Sequence, residues 1–437
     1  MNVPKLNFSF DERPAIQPAP SFFPAAATQQ LAQTPAENRT PLWIGPRDAG
    51  WFGGVTQSML ASYLGCRERF RIKYVLGLQP AEIWEKRTGY GNMWHAAEEI
   101  FAYIDGAKSK SDIWPQVEPH VVAHATEQMK KFPYQRAEIQ RWVDVLRVQF
   151  PEYVKHWTDH PDIRDRKPLM QEQVFDLMYP LPSGRPVRLR GKMDSVDLVT
   201  SRGGIFLQEN KVKGDVEQDE LKRQLKFDLQ TMLYFTVLEL MQKSAREAAE
   251  PWADVNTAFW QNLLVGVRYN VVRRPFAGGK GNIKQHEAKR TKETVSKKTG
   301  KVLRPSKVTP AETVAEFYER LRADYISAEP DHWFFRFITE VSGRDVAAFR
   351  RQCLDPLLEN LADDAEWWLW CLRKNADHWD SELRGNIFPN HVQRHFRFPF
   401  GTYNSLVEVG YSEYDDYLER GASAGLRRAD DLFTELR

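Results

Sequence analysis

Cysteine is scarce. The 437 residues hold three, Cys66, Cys353 and Cys371, and none stands near another. That spacing argues against a disulfide framework and against a C-x-x-C metal site. No apolar run approaches the length needed to cross a bilayer. The N-terminus lacks the basic patch and apolar core of a secretory signal. No G-x-x-x-x-G-K-[ST] phosphate loop occurs, so the chain is not itself an ATP-driven motor. These absences lead to the expectation of a soluble cytoplasmic protein with no membrane partner.

Apolar residues make up 42% of the chain and aromatics 12%, enough for most of it to be globular. The net charge of +2 says little, but its distribution says more. Between Lys280 and Lys307 there are 10 Lys/Arg and 2 Glu. Removing them from the totals of 61 and 59 leaves 51 basic against 57 acidic residues elsewhere. The positive charge is therefore local.

Residues 1–45 are rich in Pro, Ala, Gln and Thr and read as a disordered or extended arm. Helical periodicity runs through "TQSMLASYLGCRERFRIKYV" (56–75), and "GYGNMWHAAEEIFAYI" reads as a second helix. Residues 118–160 are mostly helical. Three strands follow: "QEQVFDLMY" (171–179), "RPVRLRGKMDSVDLV" (185–199) and "GIFLQENKVK" (204–213), punctuated by "PSG" and "SRGG". Residues 217–243 read as one long amphipathic helix, and 263–274 as a further strand. A meander, a crossover helix and another strand make an α/β fold with a mixed sheet under helical cover. Residues 276–309 read as a basic flexible loop. Residues 310–437 read as a helical, aromatic-rich region that includes "WWLW" (367–370). The expected core thus spans 46–275.

The chemistry concentrates in 188–213. Strand side chains alternate faces, so Glu209 and Lys211 point the same way. Pairing with the strand of Asp194 brings two carboxylates and an ammonium together. Carboxylates that close repel unless a cation lies between them. Their oxygens suit Mg²⁺ or Mn²⁺, and a lysine beside them can orient water or stabilise charge on a phosphate. Asp197 competes with Asp194. The two are three residues apart and face opposite sides, and the "GKMD" context favours Asp194. Charges on an exposed hairpin are the plainer reading of any single D…E-x-K. The apolar Ile205, Phe206 and Leu207 ahead of Glu209 mark this strand as central instead.

In order, these pieces resemble the PD-(D/E)XK nuclease superfamily, in its RecB-like branch. "GYGNMWHAAEE" resembles the branch's glycine-then-histidine helix, with Gly91 and His95. "GKMDSVDL" resembles its G-x-x-D strand, "LQENKVK" its E-x-K strand and "DLQTMLYF" its Q-x-x-x-Y helix. The resemblance covers about 56–274. It implies a restriction-endonuclease-like fold and a divalent metal held by His95, Asp194 and Glu209, assisted by the carbonyl of Asn210. It makes Asp194, Glu209 and Lys211 the catalytic set, with Lys211 on the attacking water. Gln230 and Tyr234 would brace the site and contact DNA backbone. Lys192, and Arg190 before it, would meet phosphate.

Many relatives of the AddB type carry four cysteines for an iron–sulfur cluster. Cys66 stands where the first would be, but "IFPNHVQRHFRFPFGTYNSL" holds no cysteine, so no cluster is expected. Packing by Phe396, Phe398, Phe400 and Tyr403 would serve there instead. The expected activity is metal-dependent hydrolysis of DNA phosphodiester bonds, from ends, in recombination, repair or phage DNA processing. A helicase or recombination protein would be a natural partner. The alternatives are a non-catalytic DNA-binding subunit and a structure-specific endonuclease.

Overall fold

The strand that carries Glu209 and Lys211 lies in the middle of the protein. In the computed structural model, residues 54–374 and 426–428 are described, except 76, 81, 105–112, 159–165, 227, 248–256, 277–282, 292–293, 296–297, 300 and 305–306. The expected N-terminal arm, and Phe396, Phe398, Phe400 and Tyr403, lie outside the described residues.

The elements that position the site run in this order. Helix α1 is Gln57–Gly65, α2 Lys86–Tyr103, α3 Trp114–Lys131 and α4 Arg136–Trp157. Strands β1 (Arg166–Pro180), β2 (Pro186–Val199) and β3 (Gly204–Lys213) form the meander. Helices α5 (Gln218–Leu225) and α6 (Leu229–Glu247) cross over to β4 (Leu264–Arg273). Strand β5 (Phe334–Glu340) and helix α7 (Asp355–Lys374) follow.

The five strands lie in the order β5-β4-β3-β2-β1. All neighbours are antiparallel except β3 and β4, which run parallel. A parallel pair needs a long crossover, here built from α5 and α6. Residues 204–210 of β3 are all buried, as expected of a strand covered on both faces. The sheet separates two cores. Side chains of α1, α6 and the start of α7 pack on one face with Phe335 and Phe337. Side chains of α2, α3 and α4 pack on the other with Phe334. This is the mixed α/β sheet with helical flanks that the strand order implied.

Three readings change. The helix expected over 217–243 breaks between Leu225 and Leu229. Asp228 is the reason: its carboxylate accepts from the Thr231 N–H at 3.1 Å and caps a new helix. The region beyond Pro310, expected to be helical, supplies β5, whose "FFRFITE" alternates between the two cores. The basic segment 276–309 is not a loop throughout. Lys289–Thr291 pairs with Lys307–Thr309, and Thr294–Val295 with Val302–Arg304. Thr294, Val295 and Val302 are β-branched, a residue type that favours strands. At the far end, Leu426–Arg428 pairs with Leu78–Pro80.

Gly191, the glycine of G-x-x-D, faces Phe175 across the β1–β2 pair. A Cβ there would lie 2.5 Å from the Phe175 ring and 3.2 Å from the Tyr234 ring. Gly191→Ala is therefore expected to destabilise the fold by about 1–3 kcal/mol in urea denaturation. An unchanged midpoint would mean that the rings move aside freely.

Candidate metal centre

The β2–β3 ladder runs from Val199–Gly204 to Ser195–Gln208. The next residues outward are Asp194 and Glu209, so the two acids stand on either side of the fork where the strands part. Both are buried. The Asp194 Oδ2 accepts from the Asn210 N–H at 2.7 Å. The Glu209 Oε1 accepts from Lys211 Nζ at 2.6 Å and from Gln230 Nε2 at 2.6 Å. Lys211 also donates to the Gln230 Oε1 at 2.9 Å, which closes a triangle. The other Glu209 oxygen, Oε2, is buried with no hydrogen-bond partner among the described residues. The Tyr234 hydroxyl bonds Gln230 and the backbone of Lys192, and its ring meets Phe175 edge-on at 5.4 Å.

Helix α2 brings His95 from above. Its Nδ1 lies 3.5 Å from Asp194 Oδ1 and 3.3 Å from Glu172 Oε1. Sequence reading missed Glu172, which sits on β1. Gln171 pairs with Ser195 and Gln173 with Met193, so Glu172 comes opposite Asp194. Its backbone is left-handed, with φ 47°, which costs a non-glycine residue about 1–2 kcal/mol. Its second oxygen takes an ion pair from Lys192 Nζ at 2.5 Å. The signal for Glu172 was available: counting equal steps outward from Ser183 in the "LPSGR" turn reaches Glu172 and Asp194 together.

Ligand atoms of His95, Glu172 and Asp194 lie within 4.8 Å of one another. Glu209 flanks this group. The set is carboxylate oxygens and one imidazole nitrogen, which fits a hard divalent cation. The buried, unpartnered Glu209 Oε2 is a further donor at the same fork. The chemistry of the residues therefore fits the metal.

The electrostatics follow from crowding. Burial, then the Asp194 charge, pushes Glu209 up to about 7. Burial likewise raises Asp194. Burial alone would lower His95, but Asp194 and Glu172 push it up to about 9. Burial also opposes the Lys211 charge, but Glu209 more than compensates and holds it above the usual lysine range.

The two expected phosphate contacts are engaged elsewhere. Lys192 pairs with Glu172, and Arg190 lies 3.5 Å from Asp176. Asp197 belongs to the opposite face. It is ion-paired with Arg166, whose Nε lies at 2.7 Å, and accepts from Arg268 Nη2 at 2.6 Å and Ser195 Oγ at 2.6 Å. Cys66 is buried, and its Sγ accepts from the Arg69 N–H at 3.4 Å as a helix cap.

The two aspartates should therefore respond in opposite ways. Asp197→Asn leaves two buried guanidinium groups short of an anion and is expected to cost about 3–5 kcal/mol in urea denaturation. Asp194→Asn is expected to shift stability by less than about 1 kcal/mol while abolishing the heat of Mn²⁺ titration. The reverse pattern would exchange their roles. A pH dependence follows too. A cation here needs His95 neutral and Glu209 ionised, whereas the free groups titrate near about 9 and about 7. Mn²⁺ binding should release protons near neutral pH and tighten as the pH rises through both values. Calorimetry in two buffers of different ionisation heat measures this; no proton release would contradict it.

A search of curated proteins found no match. A family model described as the PD-(D/E)XK nuclease superfamily matches residues 55–353, a span that includes every strand of the sheet and every residue of this site. Members of that superfamily are metal-dependent nucleases. The chain belongs to the PD-(D/E)XK nuclease superfamily.

Proposed function

We propose that this chain is a Mg²⁺- or Mn²⁺-dependent deoxyribonuclease that degrades DNA from its ends. Recombination, repair or phage DNA processing in the cytoplasm is its setting, with a helicase or recombination protein as partner. The observation that carries the reading is the Glu209–Lys211–Gln230 triangle beside His95, Glu172 and Asp194. A degenerate binding module has no use for an intact buried acid pair and lysine.

His95, Glu172, Asp194 and Glu209 would hold the cation, with the Asn210 carbonyl assisting. A bound divalent ion supplies Lewis acidity for the phosphate and a lowered pKa for water. Lys211 stays cationic at neutral pH because Glu209 holds its charge. It therefore orients water and stabilises developing phosphate charge rather than accepting a proton. Gln230 fixes the Glu209 and Lys211 rotamers, and Tyr234 braces Gln230. End dependence rests on the likeness to RecB-like exonucleases, carried by Gly91 and His95 on α2 and by Gln230 and Tyr234 on α6. The reading includes no iron–sulfur cluster, since "IFPNHVQRHFRFPFGTYNSL" holds no cysteine to join Cys66. No described helix is long and apolar enough to cross a membrane.

The test uses linear and closed-circular DNA of one sequence, labelled at either end, with Mg²⁺, Mn²⁺ or EDTA. Metal-dependent loss of the linear form alone is expected. Asp194→Ala, Glu209→Ala and Lys211→Ala should each lower the rate by at least about 10²–10⁴-fold and leave DNA binding largely intact. Cutting of the circle would replace the end-dependent reading with an endonuclease. Retained binding with no cleavage by the wild type would leave a DNA-binding subunit.

A further inference from the structure

We infer that Lys213 is a second phosphate-binding cation, which takes the phosphodiester next to the scissile one. The inference rests on the nuclease reading above and deepens it.

Glu209, Lys211 and Lys213 lie on one face of β3 at successive two-residue steps, about 6.8 Å apart. Their exposure is graded. The Glu209 side chain is 2% exposed, Lys211 is 21% exposed, and Lys213 is the most exposed of the three. This face therefore leads from the buried acids to the protein surface, the direction from which a nucleic-acid strand arrives.

The lysines near the fork differ in what they hold. Lys192 is paired with Glu172, and Lys211 with Glu209 and Gln230. The Lys213 ammonium has no hydrogen bond or ion pair among the described residues. Its charge is disfavoured, first by partial burial and then by the neighbouring Lys211, and Asp228 only partly offsets this. The Asp228 carboxylate is already occupied in capping α6. The neighbouring arginine on β4, Arg273, is bound by Asp215 and by the Val216 carbonyl. Lys213 also lines a small cleft with Asp215, Glu217 and Glu220, and these acids leave the Lys211 side as the one that favours an anion. Two ammonium groups held together with one left unneutralised form a place for a negative charge. A nucleic-acid phosphate, already brought to Lys211, is the anion that both can share.

The test is DNA binding in EDTA, where no cleavage intervenes. Anisotropy of an end-labelled linear duplex is followed across about 50–200 mM salt. Lys213→Ala is expected to bind about tenfold more weakly at the low-salt end. The slope of log affinity against log salt should fall by about 0.9, the signature of one lost phosphate contact. Lys213→Arg should keep the wild-type slope, and its thermal melt, like that of Lys213→Ala, should match wild type. Lys130→Ala, at a distant exposed ion pair, should change nothing. An unchanged slope in Lys213→Ala, or an equal loss in Lys130→Ala, overturns the inference. If the wild type cleaves DNA and the slope is unchanged, only this inference falls. If the slope drops but the wild type cleaves nothing, the phosphate contact stands and the nuclease reading falls.

Discussion

Two like charges buried at one fork are the constraint to which the site is fitted. Asp194 and Glu209 lose water where β2 and β3 part, and each makes the other harder to ionise. Glu172 adds to that cost, and the other neighbours ease it in part. The Asn210 amide takes one Asp194 oxygen, Lys211 and Gln230 take one Glu209 oxygen, and His95 leans on Asp194 and Glu172. The opposite face of the sheet handles the same problem differently. There Asp197 is closed off by two guanidinium groups and a hydroxyl. One buried acid is thus neutralised by fixed partners, while the pair at the fork keeps a donor oxygen unspent. That contrast separates a structural carboxylate from the candidate ligands at the fork.

Backbone geometry serves the same end. The missing side chain at Gly191 lets Phe175 and Tyr234 close over the strand just before Asp194. The break before Asp228 starts α6 where Gln230, in its first turn, reaches Glu209 and Lys211. Tyr234 follows one turn later on the same face. A single unbroken helix from 217 would start that face at a different angle. The left-handed Glu172 has a similar logic, for its turned backbone aims a carboxylate at His95 from a strand whose register also shifts between Pro168 and Met170.

Much of this was legible in the sequence because strand alternation is a strong local signal. The meander, the crossover and the strand over 263–274 could be read from periodicity and turn residues. The convergence of Asp194, Glu209, Lys211, His95, Gln230 and Tyr234 could be read from motif order. What was missed depends on register or on tertiary context. Glu172 shows itself only when residues are counted across the hairpin. Asp197 and Lys192 look available until their partners arrive from other strands. The strand β5 hides in "FFRFITE" because its two aromatic-bearing faces serve two different cores, which blurs alternation into a general apolar run. The cap at Asp228 is a single residue within a pattern that remains amphipathic across it.

Strand β5 carries a consequence for where the folding unit ends. It comes from beyond the basic ladders, yet it covers the whole outer flank of β4, from Phe334–Val272 to Glu340–Gly266. A chain cut at residue 275 would retain the candidate metal ligands and lose this cover. Alternate residues of β4 between Gly266 and Val272 would then present unpaired amides and carbonyls along an open edge. Such an edge recruits strands from other molecules. The shortened protein would fail by self-association before any question of chemistry arose. The smallest autonomous unit therefore extends past Glu340, and the basic ladders between β4 and β5 are an insertion within it rather than a linker that follows it.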